Sequence, residues 1–186
     1  LGDVYKRQEL QEAIANRRSY KKYKRDMQID DDALHEAIKQ AADAPNHKFR
    51  EPWKVVHVTK DRLGDMSKQL SQIAYPNDPE KQQNHYNDVT KLGGMLVVTA
   101  QQDPRQKQNL ENFMAVGAFT QNLLLLLHEA GIGSCWKTPT FIFNPEVKEM
   151  FNVAADESIV GFIYLTDMEE RVMHRKRHTD DIIRTF

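Results

Sequence analysis

Residues 110–130 read LENFMAVGAFTQNLLLLLHEA, and this stretch decides the fold. It predicts one long helix whose centre, Leu123–Leu127, is apolar on every side. A helix apolar all round has to be covered all round. In a chain of 186 residues the economical cover is a second copy of the chain. Gly131 follows as the helix stop.

Shorter elements flank this helix. Before it, Met95–Ala100 reads as a buried strand, preceded by a polar helix that starts after the turn at Pro76–Pro79 and runs to Leu92. Lys60–Tyr75 places Leu63, Met66, Leu70 and Ile73 on one helical face. Trp53–Thr59 is rich in β-branched residues and reads as a strand. Asp30 is an N-cap for a helix that buries Leu34, Ala37, Ile38 and Ala41 and stops near Pro45. A first helix runs from about Glu9 to Arg17. After the long helix, Asn144 caps a short helix over Pro145–Phe151, Ser158–Thr166 reads as a central strand, and a polar, basic tail starts at Asp167. Helices and strands interleave without a strict repeat, which predicts an α+β fold with a mostly antiparallel or mixed sheet. Residues 9–186 read as one domain, and residues 1–8 as a leader left by gene assembly.

Composition narrows the function. Hydrophobic residues make up 40% and charged residues 28%, as in a globular protein. The 26 Lys and Arg balance 27 Asp and Glu, without the basic excess of a nucleic-acid binder. No run approaches the roughly 20 apolar residues of a membrane span; the longest is Leu123–Leu127. A lone cysteine, Cys135, excludes an intrachain cystine framework and permits a reducing cytosol, so a cytoplasmic protein is expected. The charge is unevenly placed: residues 1–25 carry +5, residues 171–186 carry +3, and the middle carries −9. The two basic ends either meet at one anionic ligand or are separately solvated; charge alone leaves both open.

Most familiar patterns of side-chain chemistry are missing from the sequence. His174 and His178 have the spacing of a helical metal pair, but Arg175, Lys176 and Arg177 between them repel a cation, so no metal is expected. Cys135 reads as a buried, inert thiol. No nucleophile elbow or Walker loop is present, and Gly131-Ile132-Gly133 follows a helix where a dinucleotide fingerprint follows a strand. Three segments remain. Arg17-Arg18-Ser19-Tyr20-Lys21 offers two forked cations, a hydroxyl and an ammonium, suited to a phosphate monoester and a polar ring edge, or else to the end of its own helix dipole. Ala44 to Trp53 holds Pro45, Asn46, His47 and Lys48 in a loop bracketed by prolines. Gly131 to Pro139 brings Trp136, Lys137 and Thr138 past the end of the apolar helix, suited to line a flat, charged ligand.

In this order, the three segments resemble the nitroreductase family of FMN-dependent oxidoreductases, in its compact subgroup, over nearly the whole chain from Glu9 to Phe186. The strand at Ile159–Thr166, just before the basic tail, is similar to the last core strand of that family. The resemblance implies an intertwined homodimer with two FMN sites at the subunit interface. By that pattern, Arg17, Arg18 and Ser19 would bind the phosphate, the ribityl chain or the ring edge, and Lys21 would lie near the pyrimidine edge. His47, with Pro45 and Asn46, would reach in from the partner subunit. Trp136, Lys137 and Thr138 would flank the flavin, and Arg175 and Arg177 would meet the phosphate. Asn46, Glu51, Asp43 and a short or missing lid depart from the family pattern.

The implied activity is hydride transfer from NAD(P)H through the flavin to an organic acceptor such as a nitroaromatic or a quinone, with no side-chain acid, base or nucleophile required. Asp43 and Glu51 also suit an alternative, a flavin-binding dimer acting as a carrier or accessory subunit without reductase activity. A third reading, a basic-ended module docking nucleic acid or an acidic protein, predicts binding that falls steeply with salt.

Overall fold

The computed structural model describes residues 10–23, 27–170, 172–173, 177–179 and 182–186. Its elements run α1 (Leu10–Asn16), α2 (Asp31–Ala41), β1 (Trp53–Val58), α3 (Leu63–Ala74), α4 (Pro79–Val89), β2 (Gly94–Gln101), α5 (Gln106–Glu129), β3 (Gly133–Lys137), α6 (Pro145–Met150) and β4 (Glu157–Thr166). The strands pair antiparallel in the order β1-β2-β4-β3, which is the expected α+β class. Local signals account for most boundaries. The Asp30 carboxylate accepts from the amides of Asp32 and Ala33 at the start of α2, Asp78 accepts from Lys81 at α4, and Asn144 accepts from Glu146 at α6.

Alternation along the strands divides the core into two layers. Leu96, Val98, Ala100, Ile163 and Leu165 face α2 and α5. Met95, Val97, Phe162 and Tyr164 face Leu63, Met66 and Leu70 of α3, with Val89 of α4 and Val147 of α6. Trp53 anchors the start of β1 by stacking on Phe119 of α5, ring centroids 5.1 Å apart.

Two expectations need correction. Residues 133–137, for which the sequence predicts no strand, form an edge strand, because each of them pairs with β4 from Thr166 to Phe162. In addition, α5 begins four residues before Leu110, and by length and mean hydropathy it is the one helix among the described residues that could cross a bilayer. The helix instead serves as a core element: Val116, Phe119, Leu123 and Leu127 are buried against the sheet. Leu125 and Leu126 are only half-buried, and they line an open groove of about 470 Å³ with Leu10 and Ala13 of α1 and Asp43.

A histidine pair ties α2 to β1. His35 Nε2 lies 3.1 Å from His57 Nδ1, with Asp31 Oδ1 3.9 Å from His57 Nε2. Burial, opposed by Asp31 and helped by His35, pushes His57 below the usual imidazole value. A depressed folded value means that the contribution to stability is present above the ordinary histidine range of about 6.5 and is lost as pH falls through the folded value. Thermal unfolding measured from about pH 7.5 down to about pH 5.5 should show a falling Tm, and H57Q should flatten part of that fall. Only part is expected, because burial lowers His85 and His128 in the same sense. An H57Q profile parallel to the parent would remove His57 from the effect.

Candidate functional site

The site begins where α1 ends. Arg17 continues the helix by one hydrogen bond, its amide donating to the Ala13 carbonyl at 2.9 Å. The chain then turns along the free edge of β3: Ser19 forms a parallel bridge with Ser134, and the Tyr20 amide donates to the Ser134 carbonyl at 3.1 Å. Residues 19–23 therefore lie beside residues 134–137, held by one isolated bridge at the edge of the four-stranded sheet. The start of the C-terminal segment closes the arrangement, since Glu170 Oε2 accepts from the amides of Lys21 at 2.7 Å and Lys22 at 3.0 Å.

This packing concentrates positive charge. Burial, with Arg18 and Arg177 alongside, holds the Arg17 guanidinium below the usual arginine value. Arg17 and Arg18 also depress buried His128 in the last turn of α5, after burial itself. Lys137, Lys21 and Arg17 all act on the Cys135 thiol, although its burial dominates and raises it; the expected inert, buried thiol is what the structure contains. Among the described residues, no carboxylate side chain forms an ion pair with Arg17, Arg18, Lys21, Lys137 or Arg177. The two basic ends do meet, and among the described residues the one carboxylate close to these cations is that of Glu170, which is held by the Lys21 and Lys22 amides and not by a cationic side chain. Arg18 is partly engaged, because its Nη1 donates to the carbonyls of Ala15 and Arg17 and so caps the end of its own helix.

Beyond Lys21 the same edge opens into a cavity of about 490 Å³, lined by Tyr23, Tyr75, His85, Lys137, Thr138 and Tyr164 among others. That volume suits a planar ligand of cofactor size. Lys137 Nζ lies 4.8 Å from the Tyr164 ring centroid and 5.7 Å from that of Tyr23, which holds the cation at the wall. Alternation on β3 separates neighbours that adjoin in sequence. Lys137 faces the cavity side of the sheet, whereas Trp136 packs into the layer that holds α5. There its indole covers Gly161, where an added Cβ would fall 2.3 Å from Nε1.

The Pro45-Asn46-His47 loop is not brought to this cluster within one chain. It precedes β1, whose Trp53 is level with Ser158 of β4, while Ser134 is level with Leu165. Seven residues at about 3.3 Å and three strand spacings of about 4.8 Å place these corners of the sheet roughly 27 Å apart. Asn46 staples its own loop, Oδ1 accepting from the Glu51 amide at 2.9 Å and Nδ2 donating to the Ala44 carbonyl. Pro45 and His47 are exposed, and Phe49 is 89% exposed. Arg175 and His174 lie outside the described residues, as does the leader.

A sequence model described as the nitroreductase family matches residues 14–165, from the last turns of α1 to the end of β4. The chain belongs to the nitroreductase family. Similarity to individual nitroreductases covers most of the chain. The Bacillus subtilis (strain 168) protein YfhC, which carries the name of an NAD(P)H nitroreductase, is 28% identical over 94% of this chain and 92% of its own. A nitroreductase-like family protein from Bacillus cereus superimposes with a TM-score of 0.83 at 27% identity, over 92% of this chain and 91% of that one. A nitroreductase from Bacteroides fragilis, crystallised with bound FMN, has the same fold, with a TM-score of 0.72 at 22% identity over 96% and 98% of the two chains.

Sequence reasoning missed Tyr23, His85 and Tyr164 as cavity walls of this nitroreductase. Tyr23 was within reach of a purely sequential argument, being two residues beyond Lys21 on an extended segment. His85 was not, because nothing in the polar pattern of α4 says which face meets α3 and the cavity.

Proposed function

We propose that this nitroreductase is an FMN-dependent oxidoreductase that takes hydride from NAD(P)H and reduces an organic acceptor such as a nitroaromatic or a quinone. The observation that carries this reading is the cationic edge formed by Arg17, Arg18, Lys21, Lys137 and Arg177, none of which has a side-chain ion pair among the described residues, leading into a cavity of ligand size. The residues fit the group: half-buried guanidinium groups favour a phosphate dianion, and the Tyr23–Lys137–Tyr164 wall favours a flat ring. FMN, when bound, supplies the two-electron carrier between nicotinamide and acceptor.

The protein's own part is binding and electrostatics. Arg17 and Arg177, with Arg175, hold the phosphate; Arg18 and Ser19 complete that end, and Lys21 and Thr138 contact the ring edge. Lys137 keeps a positive charge at the cavity wall, where negative charge on a bound ring is stabilised. Trp136 shapes the site from behind β3.

The site is completed by a second subunit. The 24-residue α5, about 36 Å long, carries the Arg50–Glu111 ion pair and the 45–50 loop near its start and the Arg17 cluster near its end. Two copies of α5 packed antiparallel would lay the Pro45–His47 loop of one chain against the cationic edge of the other. The exposed side chains of Leu110 and Met114, and the groove at Leu125 and Leu126, are the surface such packing would cover. Gly117 lies at the midpoint of α5 with nothing within 4 Å of an added Cβ. Accordingly, G117R should leave the single-chain fold intact but convert a dimer of about twice 21.6 kDa into monomers by light scattering. An unchanged mass would exclude α5 as the seam.

The reading as a whole is tested by the absorption spectrum of the purified protein, by flavin identity after heat release, and by NADH and NADPH oxidation with menadione or a nitroaromatic. A flavin-loaded protein that oxidises neither nicotinamide would instead be a flavin carrier. The cytoplasm, where NAD(P)H is supplied, is the compartment this activity requires.

A further inference from the structure

The cavity beside Lys137 contains a histidine whose hydrogen-bonding state the fold decides. His85 projects from α4, with Tyr75 and Phe141 edge-on or tilted to its ring at 6.3 and 6.4 Å. Its Nδ1 lies 2.7 Å from the Ser67 hydroxyl of α3, and its Nε2 is buried without a partner. Ser67 is completely buried, and among the described residues the imidazole is the one partner of its hydroxyl. A buried hydroxyl with a single partner must donate to it, or its proton is left unsatisfied. Nδ1 is therefore the acceptor, and the imidazole proton sits on Nε2, a buried, unpartnered atom of a residue that lines the cavity. Burial and Lys137 favour the neutral ring, opposed by Asp88.

Two further groups of the lining can donate as well. The Tyr23 hydroxyl is buried without a partner, and the Lys137 ammonium lies on the same wall. The acid nearest to them, Asp88, is exposed at the mouth and pairs with Lys91 at 3.7 Å. Asn84, Asp88 and Thr138 add acceptors to the lining, but the unpartnered Nε2–H and the Lys137 ammonium favour a planar group that presents an oxygen.

We propose that Ser67 and His85 form a positioning pair, in which Ser67 fixes the tautomer and His85 donates its Nε2–H to an oxygen of a planar ligand in the Tyr23–Lys137 cavity. This rests on the functional reading above for the identity of that ligand. The oxygen belongs either to the flavin ring or to the organic acceptor, two sources with the same chemistry.

The tautomer is read directly by histidine-ring nitrogen NMR on the wild-type protein, with the His85 signals assigned by their disappearance in H85Q. An unprotonated Nδ1 and a protonated Nε2 are expected, with loss of that bias in S67A; a protonated Nδ1 in the wild type overturns the proposal. The ligand is read with two probes, FMN added to apoprotein and 4-nitrobenzoate added to the oxidised holoprotein without nicotinamide. H85F removes one donor and should weaken one of the two by about tenfold. Weakened FMN assigns the oxygen to the flavin, weakened 4-nitrobenzoate assigns it to the acceptor, and no change in either overturns the proposal. Because the glutamine amide can place a donor near Nε2, H85Q should recover binding to within about threefold. S67A should weaken binding in the wild type yet have no effect in H85Q, a pattern that a purely structural serine does not give. If H85F fails to fold, S67A and H85Q carry the comparison. A protein that takes up no flavin refutes the functional reading alone, and the tautomer with 4-nitrobenzoate binding to apoprotein then decides the pair.

Discussion

Arg17→Ala is expected to raise the FMN dissociation constant by about 10- to 100-fold while leaving the apoprotein as stable as the parent or slightly more stable. The two halves of this prediction have one cause. Arg17 is half-buried next to Arg18 and Arg177, so without a ligand its charge is opposed by its neighbours. Removing it relieves that repulsion and costs no protein ion pair among the described residues. Supplying a phosphate dianion reverses the sign, because each guanidinium then makes forked, charge-assisted hydrogen bonds. R17K keeps the charge but loses the fork, and its affinity should fall between those of the parent and R17A. Flavin fluorescence titration and thermal unfolding of the apoprotein measure the two quantities. Affinity within about twofold of the parent would remove Arg17 from the site.

Gly161→Val should lower Tm by about 5–10 °C. Gly161 occupies β4 opposite Val98, beside a shift in register between Val98 and Thr99. Its hydrogen atoms face the Trp136 indole, where a Cβ would fall 2.3 Å from Nε1 and 2.8 Å from the Lys137 carbonyl. The indole and the β3 backbone would both have to move, and overpacking of this kind costs about 1–3 kcal/mol, or about 2–4 °C per kcal/mol for a chain of this size. Since β3 carries both Trp136 and Lys137, the same substitution should also lower flavin occupancy. G161A should have a smaller effect in the same direction. A G161V melting curve that superimposes on the parent would mean that the indole does not cover this position.

The order and nature of the elements were legible because they depend on near neighbours. Asp30, Asp78 and Asn144 each cap a helix through an amide two or three residues ahead, and the apolar spacing in α2 and α3 is a property of one turn and the next. The strand at 133–137 was not legible. Gly133-Ser134-Cys135-Trp136-Lys137 carries little β-branched signal, and it is a strand because β4 offers it a free edge. The sequence also showed which residues were candidates for the phosphate end, since charge and the Arg-Arg-Ser order need no partner to be recognised.

Composition and local pattern by themselves determined an α+β chain, the long apolar helix that needs cover, two basic ends, and a likeness to nitroreductases. The tertiary structure alone decided that residues 19–23 lie beside β3, that Lys137 and Trp136 part to opposite faces, that Ser67 reaches His85, and that Pro45–His47 lies a sheet diagonal away from Arg17. The physical reason is range. Helix periodicity and capping are set within four or five residues, whereas strand pairing and buried hydrogen bonds between elements depend on which distant surfaces the whole chain can bury together.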